Sequence, residues 1–241
     1  NFISVFVTVV LLIFSIAGGY FVIERSVAAS LFNSGSVESA LRISQTDRYW
    51  RAFSEMSLAN ISNIISGSSG EITDTQKAQL QGAISNAVAG VQQAIAWNPK
   101  NFDNYFALGR VYEILASNGL EGAAENAVSA YNQAATRSPN NPAVPLALAR
   151  IDAIGGKFDA ARENINKALT LKNNYTDAYF TLAQVEAATN NINGAIQSVE
   201  AATILDSQNS SLFFQLGLLK YNNGDFKGAA LAFERSIALV P

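Results

Sequence analysis

Residues 213–241 read FFQLGLLKYNNGDFKGAALAFERSIALVP, and this stretch decides how the rest of the chain is interpreted. Apolar residues recur in it at spacings of three and four, the spacing of one face of an α-helix. The pattern breaks at residues 222–225, Asn-Asn-Gly-Asp, where glycine can adopt the left-handed conformation that ends a helix. The small residues Gly217 and Ala229 let two helices pack closely. The stretch therefore predicts a helix, a tight turn and a second helix packed on the first.

The same pattern occurs twice upstream, at a fixed period. Residues 142–175 and 176–209 each span 34 positions, and residues 210–241 span 32. The matching positions carry Leu in the first helix, Gly or Asn at the turn, and Ala in the second helix: Leu148, Leu182 and Leu216; Gly156, Asn190 and Gly224; Ala161, Ala195 and Ala229. A period of this length indicates repeats that stack and bury one another's apolar faces. We expect an all-α chain that forms an α-solenoid.

Two longer versions of the repeat come before these. Residues 102–141 match with an insertion at ASNGLEGAAEN, residues 116–126. Residues 47–101 match more loosely, and SGSSGEITDTQ at residues 66–76 lengthens the connection. Pro99 and Pro139 close the second helices, since proline cannot continue a helix.

These blocks resemble the tetratricopeptide repeat (TPR) family, closely over residues 102–241 and weakly over residues 47–101. The resemblance implies a non-catalytic scaffold, in which the first helix of each repeat lines a groove for an extended peptide or a partner helix. Projected onto this chain, it implies these groove residues: Phe106, Arg110, Leu146, Arg150, Phe180, Gln184, Phe214 and Leu218. Family members that grip a carboxylate use Lys, Asn and Arg at such places. The apolar residues here depart from that pattern, so we expect a peptide with hydrophobic anchors.

The N-terminal segment predicts a membrane helix. Residues 2–23, FISVFVTVVLLIFSIAGGYFVI, contain no charged residue. A helix of this length spans about 33 Å, enough for the hydrocarbon core of a bilayer. Gly18 and Gly19 favour one of two features. They permit close contact with another helix, which would allow a homo-oligomer, or they allow a kink in the helix. We expect a single-pass membrane protein with residues 1–23 as its span. Because few basic residues follow, the repeats are placed outside the cytoplasm.

Residues 24–46 predict a helical connector. Residues 26–33 continue the first helix, Gly35 interrupts it, and SVESALRIS at residues 36–44 begins another helix with a small residue at Ala40. The chain starts at Asn1 without Met and stops directly at Pro241, which indicates a piece of a longer polypeptide.

Composition argues against most catalytic chemistry. The 241 residues include no Cys and no His, which excludes thiolate and imidazole nucleophiles and the usual zinc ligands. No glycine-rich phosphate loop is present. Charged residues make up 15%, the net charge is −3, and the basic residues are scattered, which disfavours nucleic acid. We expect no catalytic residue, metal site or cofactor, and a protein or peptide as partner.

Two functions stay open. The first is a membrane-anchored scaffold that recruits a protein partner. The second comes from a resemblance to the C-terminal part of bacterial O-antigen ligase or polymerase-like proteins with TPR tails, carried by the apolar span, DRYWRAFSEMSLANI at residues 47–61, and the repeats. That resemblance implies a polytopic glycan transferase whose catalytic part lies upstream of this chain.

Overall fold

The computed structural model describes residues 19–67 and 73–240, and all regular secondary structure in those ranges is helical. The first of the twelve helices described there, α1, covers residues 19–33. The others are α2 Val37–Ile43, α3 Asp47–Ser66, α4 Asp74–Trp97, α5 Phe102–Ser117, α6 Ala123–Arg137, α7 Ala143–Ile154, α8 Phe158–Leu171, α9 Thr176–Ala188, α10 Ile192–Leu205, α11 Ser210–Asn222 and α12 Phe226–Ala238. The predicted all-α repeat fold is confirmed for these residues.

The chain divides into two compact units, Asn1–Val111 and Tyr112–Pro241. In the first unit, α1, α2 and α3 enclose a small core around Ala28, Ala40 and Tyr49. Helix α3 also packs along α4, where Gly90 permits a close approach: a Cβ at this position would lie 3.1 Å from the backbone oxygen of Trp50. The first unit is thus built from helices that pack on their neighbours in sequence.

The second unit stacks helical hairpins. The pairs α7–α8, α9–α10 and α11–α12 each form one hairpin, and consecutive hairpins meet where α8 packs on α9 and α10 on α11. Leu146, Ile165 and Val185 are almost fully buried in one core cluster, which joins α7, α8 and α9. Apolar residues at the joint between the α7–α8 and α9–α10 hairpins are therefore covered by both of them.

The turns inside the hairpins explain the residue type at the repeating turn position. Gly156 and Gly224 have φ of 70° and 82°, in the left-handed region that favours glycine. Asn190 has φ of 61°, and it is the one residue other than glycine with positive φ in the described part of the chain. Asn tolerates this conformation better than most residues, which is why it can replace Gly in the middle repeat.

The predicted membrane span falls mostly on residues that the structure does not describe. Residues 2–18 lie outside the described residues, and across 19–67 and 73–240 no helix combines the length and apolar character needed to cross a bilayer. On this finding the predicted membrane localisation, with repeats outside the cytoplasm, is wrong.

The predicted helix–helix contact and homo-oligomer gain no support either. Gly18 lies outside the described residues. A Cβ at Gly19 would have no heavy atom of the described residues within 4 Å, its own stretch of helix backbone aside.

Candidate peptide-binding groove

A groove in the second unit is lined almost entirely by first helices of repeats. Its volume is about 460 Å³. The end of α5 contributes Glu113, Ile114 and Ser117; α7 contributes Arg150, Ala153 and Ile154; α9 contributes Thr181, Gln184, Val185 and Ala188; and Phe158 comes from α8. We refer to it as the first-helix groove. Its lining is mostly apolar, and Ser117 and Gln184 are the polar lining residues that are exposed.

Arg150 and Glu113 form the central ion pair of this groove. The Nε atom of Arg150 donates to Oε1 of Glu113 at 2.5 Å, and its Nη2 donates to Oε2 at 3.1 Å. The hydroxyl of Tyr131, a wholly buried residue of α6, also donates to Oε2 of Glu113. Two parallel bonds from a guanidinium fix the geometry of a carboxylate more firmly than one. The pair therefore ties α5 to α7, and Tyr131 ties α6 to α5 through the same carboxylate.

Arg150 stays positively charged, and the carboxylate of Glu113 balances its charge. Burial disfavours the charged guanidinium, but the hydrogen bonds and the charge of Glu113 outweigh burial and raise the pKa of Arg150 above its ordinary value. An incoming anion would have to compete with Glu113 for Arg150. The groove is thus close to electrically neutral at this point.

Gln184 is the polar lining residue available to a ligand. Ser117 and Thr181 use their hydroxyls to donate to the backbone oxygens of Ile114 and Asp177, each at 2.8 Å. Gln184 is exposed and makes no hydrogen bond to any residue in the described ranges. Its amide offers two donor hydrogens and an acceptor oxygen, which matches the needs of a peptide backbone.

Gln184 also borders a smaller hollow of about 70 Å³ toward the last repeat. Phe180, Ala183, Gln184 and Ala187 of α9 line it together with Val199, Gln215 and Leu219. Of the eight predicted groove residues, Arg150 and Gln184 thus line the first-helix groove, and Phe180 and Gln184 line the smaller hollow.

The other predicted residues lie elsewhere. Leu146 is 1% exposed and belongs to the core, so a ligand cannot reach it. Phe214 and Leu218 are exposed on α11. In the first unit, Arg110 lies 3.6 Å from Glu55, measured from Nη1 to Oε1, and Phe106 stacks on Phe102 with the ring centroids 5.4 Å apart.

Nine of the eleven residues that line the groove were not predicted from the sequence, among them Glu113, Phe158 and Val185. None of them occupies a first-helix place to which the family resemblance assigns ligand contact. No spacing in the sequence joins Glu113 to Arg150, because the two residues lie 37 positions apart and in different repeats.

A second charged cluster holds α8 to α9. The Nε atom of Arg162 donates to Oε1 of Glu186 at 2.7 Å, and Nδ2 of Asn191 donates to Oε2 of Glu186 at 2.7 Å. The hydrogen bond from Arg162 has the largest effect on Glu186 and, with that from Asn191, outweighs burial, so the pKa of Glu186 lies below its ordinary value. These groups are all engaged with one another, so the cluster is structural.

Comparison with known proteins supports the fold. No protein-family model matches the chain, and no curated protein matches it by sequence. A thermophilic TPR protein in Thermus thermophilus is 16% identical, with a TM-score of 0.62 over 81% of this chain and 96% of that one. PilF of Pseudomonas aeruginosa is 15% identical, with a TM-score of 0.57 over 81% and 78% of the two chains. MamA is 17% identical, with a TM-score of 0.53 over 70% and 96%.

These likenesses define the chain as a protein of TPR-like fold. The predicted resemblance to the TPR family is therefore confirmed at the level of fold. The predicted resemblance to O-antigen ligases receives no support from the comparisons.

Proposed function

We propose that this chain is a non-catalytic protein-interaction scaffold whose first-helix groove binds an extended peptide with an apolar anchor side chain. The observation that carries the proposal is the combination of a mostly apolar lining with the unengaged amide of Gln184 in a groove of about 460 Å³. Ligand sites typically measure about 300–1,000 Å³ and combine apolar walls with a few polar groups. The TPR-like fold supports the same function.

The charges of the groove define the kind of peptide. Because Glu113 already accepts two hydrogen bonds from Arg150, no free cation stands among the lining residues to grip a carboxylate. Ile114, Ala153 and Val185 offer apolar contact in the same groove. The anchor is therefore an uncharged apolar side chain, and the role of Gln184 is to pair with the peptide backbone beside it.

The test is selection from a library of random peptides displayed on phage, with the full chain as bait. The selected peptides are then measured against three variants. We expect Gln184→Ala to weaken binding about two- to tenfold, the cost of one hydrogen bond. Ala188→Trp places a large ring at an exposed position of the groove and should abolish binding.

The matched control is Gln197→Ala, which removes an exposed glutamine from α10, outside the groove. It should leave the affinity unchanged. Peptides that bind all three variants equally well, or a library that yields no binder, would contradict the proposal.

A further inference from the structure

One position of the repeat is aromatic in every copy except one. Tyr105, Tyr179 and Phe213 occupy matching places in the first helices of their repeats, once the insertion in residues 102–141 is allowed for. In the repeat 142–175 the matching residue is Pro145. Proline fits the first turn of a helix, so the backbone of α7 is unaffected. The repeat at residues 142–175 therefore lacks the aromatic ring but keeps its first helix.

The last repeat shows where such a ring lies. Phe213 of α11 is partly buried and lines a groove of about 220 Å³ together with Leu216, Leu231, Ala232 and Arg235. The guanidinium carbon of Arg235 is 5.7 Å from the centroid of the Phe213 ring. This distance is within the range in which a cation is attracted to an aromatic face.

The repeat with Pro145 has a larger groove at the same place. Five positions match those of the last repeat: Pro145, Leu148, Glu163, Asn164 and Lys167 take the places of Phe213, Leu216, Leu231, Ala232 and Arg235. Ala135, Pro139, Val144 and Leu171 add further apolar lining. The volume here is about 610 Å³, against about 220 Å³ where the ring is present. We refer to this as the Pro145 groove.

The cation that would cover the ring is still present. Lys167 matches Arg235, and its Nζ lies 2.8 Å from Oε1 of Glu163. Both side chains of this pair are largely exposed, at 57% and 71%. Exposed ion pairs contribute little to stability, so Lys167 can exchange Glu163 for the face of a ring at little cost.

We propose that the Pro145 groove binds an aromatic side chain of a protein partner, which supplies in trans the ring that the repeat lacks. The ring takes the place that Phe213 fills in the last repeat, and Lys167 covers its face. This site goes beyond the proposed peptide function, because the Pro145 groove and the first-helix groove share no lining residue.

The test uses N-acetyl-tryptophanamide as the probe and saturation-transfer NMR on the full chain as the readout. The wild type should transfer saturation to the indole protons. Pro145→Phe supplies the ring within the chain, so it should reduce the transfer at least fivefold. Lys167→Gln should weaken binding about two- to fivefold through loss of the cation. Lys157→Gln, which removes an exposed lysine elsewhere in the repeat, should change nothing.

Two further arms keep the result specific. N-acetyl-leucinamide, an aliphatic probe, should give much weaker transfer. Gln184→Ala should bind the indole probe as the wild type does, which separates this site from the first-helix groove. If Pro145→Phe does not fold, Ala135→Trp fills the groove from α6 instead. Equal transfer in the wild type and the filled variant, equal transfer to the leucine probe, or no transfer to the wild type would each overturn the proposal.

Discussion

Replacement of Glu113 by Ala is the sharpest test of how the first-helix groove is held together. Glu113 accepts two hydrogen bonds from Arg150 and one from Tyr131. Its side chain is 15% exposed, that of Arg150 is 34% exposed, and Tyr131 is wholly buried. The substitution therefore leaves a guanidinium and a buried hydroxyl without their shared acceptor.

The size of the effect follows from these exposures. Removal of one partner from a buried ion pair costs about 3–5 kcal/mol, whereas an exposed pair is worth about 0–1 kcal/mol. Because about a third of Arg150 is exposed, water partly replaces Glu113, and we expect about 2 kcal/mol for this loss. The buried hydroxyl of Tyr131 adds about 1 kcal/mol. Glu113→Ala should thus lower the free energy of unfolding by about 3 kcal/mol.

The assay is urea denaturation followed by circular dichroism, with Glu113→Ala, Arg150→Ala and the double variant. The double variant should cost less than the sum of the single variants, by about 2 kcal/mol, because each single variant already breaks the same pair. Glu163→Ala is the control, since it breaks the exposed pair with Lys167 and should leave the free energy of unfolding unchanged. A loss below about 1 kcal/mol for Glu113→Ala, or additive single variants, would refute the reasoning.

Three further predictions concern packing, turns and pH. Gly217→Ala should destabilise the protein by about 1–2 kcal/mol, because the new Cβ would lie 2.5 Å from the ring of Phe233; thermal denaturation measures this. Gly156→Ala should cost about 1 kcal/mol, since φ is 70° there, again by thermal denaturation. The pKa of Glu186 is held below 4.5 mainly by Arg162. The stability that ionised Glu186 contributes is therefore fully present above pH 4.5, the pKa of an ordinary glutamate. It is lost as the pH falls through the lower pKa that Glu186 has in the folded protein. Urea titrations at several pH values should show Glu186→Gln to be about 2 kcal/mol less stable at pH 7, with the gap closing in acid.

Matched variants make these results interpretable. Gly82 lies inside α4 with open space around it, so Gly82→Ala should stabilise by about 0.5–1 kcal/mol through helix propensity alone. Gly155 has φ of −79°, so Gly155→Ala should be nearly neutral beside Gly156→Ala. If Gly217→Ala and Gly82→Ala have the same sign, close packing at Gly217 is not the cause. A stability gap for Glu186→Gln that persists below the folded pKa would contradict the linkage argument.

The period of 34 residues was enough to predict the helical repeats, because it reflects local backbone requirements. A turn that needs positive φ selects Gly or Asn at residues 156, 190 and 224, and the structure has positive φ at all three. A first helix that meets a ring at short distance selects Gly217. Such constraints act within one hairpin, so they leave a trace in every copy of the repeat.

The groove was predicted less well, since its contacts join residues far apart in the sequence. Arg150 was expected to face a ligand, but its guanidinium is engaged by Glu113, 37 residues earlier. Leu146 was expected in the groove, but it is buried in the core. An apolar residue on a first helix can face either the groove or the neighbouring hairpin, and periodicity alone does not distinguish these two faces.

Two joints between consecutive hairpins carry an ion pair that the shared pattern does not contain. Glu186 and Lys220 occupy matching positions of α9 and α11 and carry opposite charges. Each is paired with the preceding second helix: Glu186 with Arg162 of α8, and Lys220 with Glu200 of α10 at 2.8 Å. The short loops between helices already fix which hairpin follows which, since α9 begins within five residues of the end of α8 and α11 within five residues of the end of α10. The repeating apolar positions thus specify the hairpins, and the ion pairs add a polar contact to each joint that differs in sign and position from one joint to the next.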